Sequence, residues 1–281
     1  MPSLTLLGQS ILSGLFIGGL YGLLGLGLSL SWGLLRLINL AHFALVFLGA
    51  YLTYHLAAVG GLSPYLAMLL IVPVFFGLGV ALQAAFIRFR VGEFASLLVT
   101  FGITVVIEAF IQWVWTADFR RLEHATVSLR LGPLFVPLTE ALMLAIAVAL
   151  SLATWAWLRF TYVGKAMRAG AEDPGMAAAF GIDHRRLALL LSGVGAAYSG
   201  IAGAFVALIY TLAPAQIYAW IGVVFAVVIL GRLGNPLGPV LAGLGVGVIE
   251  AITMAVTAPS WAPLVSFALL ILVLLLRPDR I

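Results

Sequence analysis

The sequence predicts an all-α, polytopic transmembrane helix bundle of eight to nine membrane segments, in a single domain over residues 1–281. Three observations carry that prediction. Hydrophobic residues make up 64% of the 281 and mean hydropathy is +1.20, well above the roughly half-apolar composition of a soluble domain. Charged residues are only 9%. They fall between apolar runs of about 20 residues, the helix length that crosses a hydrocarbon core of about 30 Å.

The first run extends from Leu4 to Leu35 and meets its first cation only at Arg36. With no cationic start it reads as a permanent helix and not a cleaved signal. Apolar runs then place helices at about 5–32, 40–58, 64–87, 94–116, 136–158 and 187–211. A run at about 218–231 would rise only about 20 Å, so it is tilted, discontinuous or re-entrant. The break "GRLGNPLGP" (Gly231–Pro239), a run to about 257 and a last helix at about 260–276 complete the chain.

Nine segments with the N-terminus outside put Arg36, Arg88, Arg90, Arg159, Lys165, Arg168, Arg185, Arg186, Arg232, Arg277 and Arg280 in the cytoplasm. Only Arg120, Arg121 and Arg130 then lie outside, an asymmetry that sets orientation. The net charge of +4 therefore reports topology and not a nucleic-acid partner. The external loop 117–135 mixes Asp118, Arg120, Arg121, Glu123, His124 and Arg130, which suits either a partner-facing surface or an idle solvated loop.

The stretch "YVGKAMRAGAEDPGMAAAFGIDHRRL" (Tyr162–Leu187) concentrates Lys165, Arg168, Glu172, Asp173, Asp183, Arg185 and Arg186 on the cytoplasmic side. Asp173 can cap a helix whose first position is Pro174, and Gly181 is a natural left-handed stop. That helix of about two turns is too short to span a bilayer. Met176 and Phe180, at i and i+4, give it a small apolar face that fits either a groove in another protein or the headgroup layer.

This stretch resembles the cytoplasmic loop of ABC-transporter permeases of the branched-chain amino acid type, in the pattern R-A-x-x-x-D-P-x-x-A-x-x-x-G-I. Arg168, Ala169, Asp173, Pro174, Ala177, Gly181 and Ile182 carry it. A second match, to the family's I-N-F-A-H-G, is carried by Ile38, Asn39, Ala41 and His42; a third covers Val223–Ile252. The chain departs from the family at Phe43 and Ala44, and at Arg232, where the family has glycine. The resemblance implies that helix 174–180 is a coupling helix, with Arg168, Glu172, Asp173, Pro174, Met176, Ala177, Phe180 and Gly181 at the contact with an ATPase. It implies two cytoplasmic ATPase subunits that bind ATP with Mg, a second permease, identical or paralogous, and an external substrate-binding protein. The protein would sit in the inner membrane, N-terminus outside and C-terminus cytoplasmic, and import branched-chain or related small amino acids or amides by alternating access.

Other chemistries lack their residues. The only lysine, Lys165, precedes Ala166, so no phosphate-cradling G-x-x-x-x-G-K-[ST] loop exists. There is no H-E-x-x-H, no G-x-S-x-G and no cysteine. The sequence thus points to a transport subunit with no catalytic residue, metal or directly bound cofactor. Ionisable groups at membrane depth suggest a pathway. Glu108 and Gln112, one turn apart, line a passage or reach the interface; Glu250 bonds within the bundle or lines the pathway. Asn39 and His42 cap a helix start or gate the cytoplasmic mouth, and Gln83 makes an interhelical hydrogen bond. Glu108 and Glu250 would also serve an ion-coupled secondary transporter or a channel-like protein, the competing reading. Gly14, Gly18 and Gly22, then Gly195, Ser199 and Gly203, then Gly243 and Gly247 repeat at every fourth residue, the small-xxx-small pattern of close helix crossing.

Overall fold

A computed structural model describes residues 4–123, 127–257 and 261–276. Its helices are α1 (Leu4–Leu35), α2 (Ala41–Tyr54), which widens into a π turn at His55–Val59, α3 (Pro64–Phe89), α4 (Glu93–Trp115), α5 (Leu138–Phe160), α6 (Tyr162–Glu172), α7 (Pro174–Ala179), α8 (His184–Ile209), α9 (Ile221–Leu230), α10 (Gly238–Val256) and α11 (Ala262–Leu276). A short 3₁₀ helix, Pro214–Trp220, leads into α9. Among the described residues seven helices are long and apolar enough to cross a membrane: α1, α2 with its π turn, α3, α4, α5, α8 and α10. With the shorter apolar α9 and α11 they give the expected eight to nine segments. Arg277, Asp279, Arg280 and His124 lie outside the described residues.

The outer helices are patterned for lipid. On α4 the buried positions are Ser96, Thr100, Thr104, Ile111 and Trp115, while Leu98, Val105, Val106 and Trp113 are exposed. α5 likewise buries Thr139, Ser151 and Thr154 and exposes Leu138, Leu142 and Leu152. On α4 the threonine hydroxyls return to their own helix: Thr100 Oγ1 donates to Ser96 O (2.7 Å) and Thr104 Oγ1 to Thr100 O (2.8 Å). Lipid gives no hydrophobic reward for hiding leucine, so small hydroxyl residues at the seam and leucine outside is the stable arrangement.

α1 runs through the middle. Its 32 residues rise about 48 Å, more than a bilayer core, so its Arg36 end projects. The glycine spacing is a seam, as expected: a Cβ at Gly14 would sit 2.6 Å from Val248 Cα, and one at Gly22 would sit 2.6 Å from Val240 Cα, while Gly18 faces Gly243. The second series joins α8 to α2 and α1, with Gly203 against Val46 and Ala50 and Gly195 against Gly27.

The break after α9 is neither a spanning helix nor a surface loop. Gly231 packs on Gly238, Gly33 on Gly234, and Pro236 is buried, its carbonyl accepting from Ser151 Oγ at 2.6 Å. A buried carbonyl outside a helix requires such a partner. Arg232, where the resembled family has glycine, takes φ +68°, the left-handed region that favours glycine. Arg36 and Arg90 are also left-handed, at φ 54° and 52°, each closing a helix C-terminus. There a guanidinium complements the negative end of the helix dipole.

The loop expected at 117–135 contains two short antiparallel strands, β1 (Ser128–Leu131) and β2 (Leu134–Pro137), turning through Gly132 at φ +61°. Gln9 of α1 pairs with the hairpin's edge like a third strand: its Nε2 donates to Phe135 O (2.9 Å) and its Oε1 accepts from Phe135 N (3.0 Å).

Candidate functional site

The charged stretch folds as two helices. Thr161 caps α6, its Oγ1 accepting from Gly164 N at 3.0 Å, and α6 lays Met167 into a buried cluster with Leu30, Leu158 and Leu191. Gly170 must be small, because a Cβ there would meet the His184 ring at 2.5 Å. Asp173 ends α6 and starts α7, its Oδ1 accepting from Met176 N at 3.0 Å, with Pro174 at the first position. Gly181, at φ +80°, stops α7, and Ile182 N returns to Ala177 O at 3.1 Å. Asp183 then caps α8 through Arg185 N (3.0 Å) and Arg186 N (3.3 Å) and pairs with Arg186 Nε at 3.1 Å.

α7 presents one side inward and one outward. Ala177 is 4% exposed, whereas Met176 is 59% and Phe180 81% exposed. Arg168, Glu172, Asp173 and Pro174, which precede that apolar pair in the chain, are exposed as well. Two side chains tie the knob to the bundle: Arg36 Nη2 donates to Ala171 O (3.1 Å) and His184 Nε2 to Pro174 O (2.9 Å). Sequence reasoning missed both, since they join residues 135 and 10 apart.

Behind the knob, residues 37–40 link α1 to α2 as non-helical backbone that α4 satisfies. Thr100 Oγ1 accepts from Leu40 N (3.0 Å), and its one proton, given mainly to Ser96 O at 2.7 Å, lies also within reach of Ile38 O (3.2 Å). The Asn39 side chain does not cap α2; that position is Leu40, without a side-chain bond, and Asn39 Oδ1 is buried and unpartnered. His42 is buried, its Nε2 donating to Leu24 O at 2.9 Å. Gln83 makes the expected interhelical bond, accepting at Oε1 from Ser192 Oγ at 2.9 Å. Asn39, His42, Gln83 and Ser192 line one small polar cavity of about 10 Å³, room for about one water.

Further along the bundle the acidic residues are brought to a second, larger cavity of about 530 Å³ between α1, α9, α10 and α11. Glu250 lies on its wall, 5% exposed, its Oε2 accepting from Tyr21 Oη at 2.9 Å. Tyr218, also on the wall, donates to Glu108 Oε2 at 2.6 Å, while Glu108 Oε1 accepts from Gln112 Nε2 at 3.2 Å. Glu108 thus reaches the cavity only through Tyr218, and Gln112 is exposed. Ile17, Ile221, Met254 and Phe267 supply apolar wall. Mostly apolar walls with a few fixed polar groups are the usual make-up of a small-molecule site, and the volume falls in the usual range. Sequence reasoning named the two carboxylates but missed both tyrosines and Glu140, which lines a neighbouring cavity of about 300 Å³ across Ile17. Among the described residues no group of three or more His, Cys, Asp or Glu could hold a metal ion.

Such a bundle, with lipid-patterned outer helices around cavities that hold a few fixed polar groups, is a multi-pass membrane protein of the transport class. Residues 10–274 match the family described as "Branched-chain amino acid transport system / permease component", and the chain belongs to that family. Among curated proteins it is 28% identical to the high-affinity branched-chain amino acid transport system permease protein LivH of Salmonella typhimurium, covering 97% of this chain and 94% of that one. It is 26% identical to LivH of Escherichia coli K12, with the same coverage, and 26% identical to BraD of Pseudomonas aeruginosa, covering 100% and 97%. No solved structure matches the chain.

Proposed function

We propose that the chain is the membrane-spanning permease subunit of an ATP-driven importer in the inner membrane, moving branched-chain or related small amino acids or amides into the cytoplasm by alternating access. Two cytoplasmic ATPase subunits would bind ATP with Mg and do the hydrolysis. A second permease, identical or paralogous, completes the pathway, and an external binding protein delivers the solute. The N-terminus is outside and the C-terminus cytoplasmic. Family membership supports an ATP-driven subunit over an ion-coupled carrier or a channel.

The single observation that carries the reading is α7. A short capped helix buries Ala177 and holds Met176 and Phe180 outward at the arginine-rich end, a shape with no use inside the bundle. Seated in a cleft of an ATPase subunit, it would pass nucleotide-driven motion through Arg36 to α1 and through His184 to α8. Arg168, Glu172, Arg185 and Arg186 orient the docking more than they supply its affinity. The cavity of Glu250, Tyr21 and Tyr218 is the station for solute, its carboxylate facing the ammonium group and its apolar wall the aliphatic side chain; Asn39 and His42 form the gate beneath. Uptake in vesicles tests this directly: leucine should accumulate only when the ATPase subunits and ATP are supplied. Accumulation driven by an ion gradient without them would refute it.

A further inference from the structure

Among the described residues five buried side-chain atoms lack a hydrogen-bond partner, and three of them, Tyr51 Oη, Trp115 Nε1 and Arg120 Nε, belong to neighbouring residues around the C-terminal end of α4. The Tyr51 and Trp115 rings are 5.5 Å apart. Arg120 Nη2 donates to Trp115 O and to Thr116 Oγ1, both at 3.2 Å, which holds the guanidinium over the end of α4.

Helix capping accounts for Nη2, since a cation belongs at a helix C-terminus. It leaves Nε, the indole N–H and the hydroxyl unexplained. Tyr51 is 0% and Trp115 8% exposed, so an unmade bond at either costs the full desolvation of a polar group. The two nitrogens can only donate, and the hydroxyl can donate as well. The nearest carboxylate in sequence, Asp118, is exposed, accepts from Thr116 Oγ1 at 2.8 Å and is bonded to none of these three donors. A water accepts only two bonds, whereas a carboxylate offers about four acceptor positions and a charge for the guanidinium.

We propose that Tyr51, Trp115 and Arg120 form a carboxylate-binding station at the outer mouth, where the arriving solute's carboxylate is held. The proposal rests on the import reading above. The donors are shut from solvent, and beside them the backbone of Arg120 is held by an isolated bridge in which Arg120 N donates to Leu212 O (2.9 Å) and Leu212 N to Arg120 O (2.7 Å). Parting that two-bond bridge admits the ligand. The same chemistry could arrive on an Asp or Glu side chain of the docking protein, and the test separates the two sources.

Permease with its ATPase subunits in nanodiscs, without binding protein, is titrated with isovalerate and with isovaleramide and followed by saturation-transfer NMR. Wild type should bind isovalerate, and Tyr51→Phe and Trp115→Phe should each weaken it about tenfold or more while leaving isovaleramide unchanged, the loss expected of one hydrogen bond to a charged group. If isovalerate does not bind but both variants weaken capture of the external binding protein, the carboxylate is that protein's. Unchanged behaviour of both variants in both assays would mean that the three groups hold at most a water, and would overturn the proposal. Wild-type leucine import, measured in parallel, separates the two failures: its absence strikes the import reading, and its presence alongside inert variants strikes this site alone.

Discussion

Replacing Phe180 by alanine should detach the ATPase without disturbing the permease. The ring is 81% exposed, so it contributes little to the fold of the free protein. An aromatic side chain buries about 150–250 Å² when enclosed. Closing the exposed part in a groove covers roughly 160 Å², worth about 4 kcal/mol at about 25 cal/mol per Å² as an upper bound. Alanine retains a small share, and interface anchors of this kind commonly cost about 2–4 kcal/mol when truncated. Affinity for the ATPase should fall about 30-fold to 1,000-fold. Permease in nanodiscs, titrated with labelled ATPase subunit, reads this directly, and a melting curve of the permease alone should not move by more than a degree or two. Unchanged affinity, or lost affinity with a collapsed melting curve, would refute the placing of Phe180 at the contact.

Three further outcomes follow from the packing. Gly18→Leu should lower the melting temperature and the folded yield, because the added side chain meets the backbone of Gly243 and overpacking typically costs about 1–3 kcal/mol. Arg232→Gly should raise stability by about 1 kcal/mol, since the exposed side chain holds a left-handed φ of +68° that glycine adopts freely; a lower melting temperature would contradict this. Ser151→Ala should destabilise by about 1–3 kcal/mol by removing the donor to Pro236 O, and an unaltered melting curve would show that the break finds another partner.

What was legible in the sequence was what local chemistry dictates. Asp173, Pro174 and Gly181 mark α7 to within a residue, because caps and left-handed stops are properties of the residues themselves. The glycine repeats marked crossing faces because four-residue spacing makes a flat face on any helix, whereas the pairing of α1 with α10 came from the structure. What escaped was set by tertiary partners. α6 is too polar to read as a span, and its amphipathic face makes sense only once Met167 has a cluster to enter. The hairpin follows from Gln9 gripping Phe135 across 126 residues. Asn39 looked like a cap because it precedes a helix, yet α4 supplies the hydroxyls that the unwound backbone needs. Glu108 and Glu250 stood out by charge alone, while Tyr218 and Tyr21, which seat them, lie 110 and 229 residues away and look like ordinary aromatic residues of an apolar run.

The absence of cysteine from all 281 residues makes the decisive measurement clean. A Phe180→Cys permease is paired with ATPase subunits carrying single cysteines along their cleft, and disulfide formation is followed together with leucine uptake in vesicles. A cross-link to one cleft position that stops import, with recovery on reduction, is the result expected if α7 is where nucleotide-driven motion enters the bundle. Import that continues at full rate with α7 locked to the ATPase, or no cross-link at any cleft position while import proceeds, would contradict it.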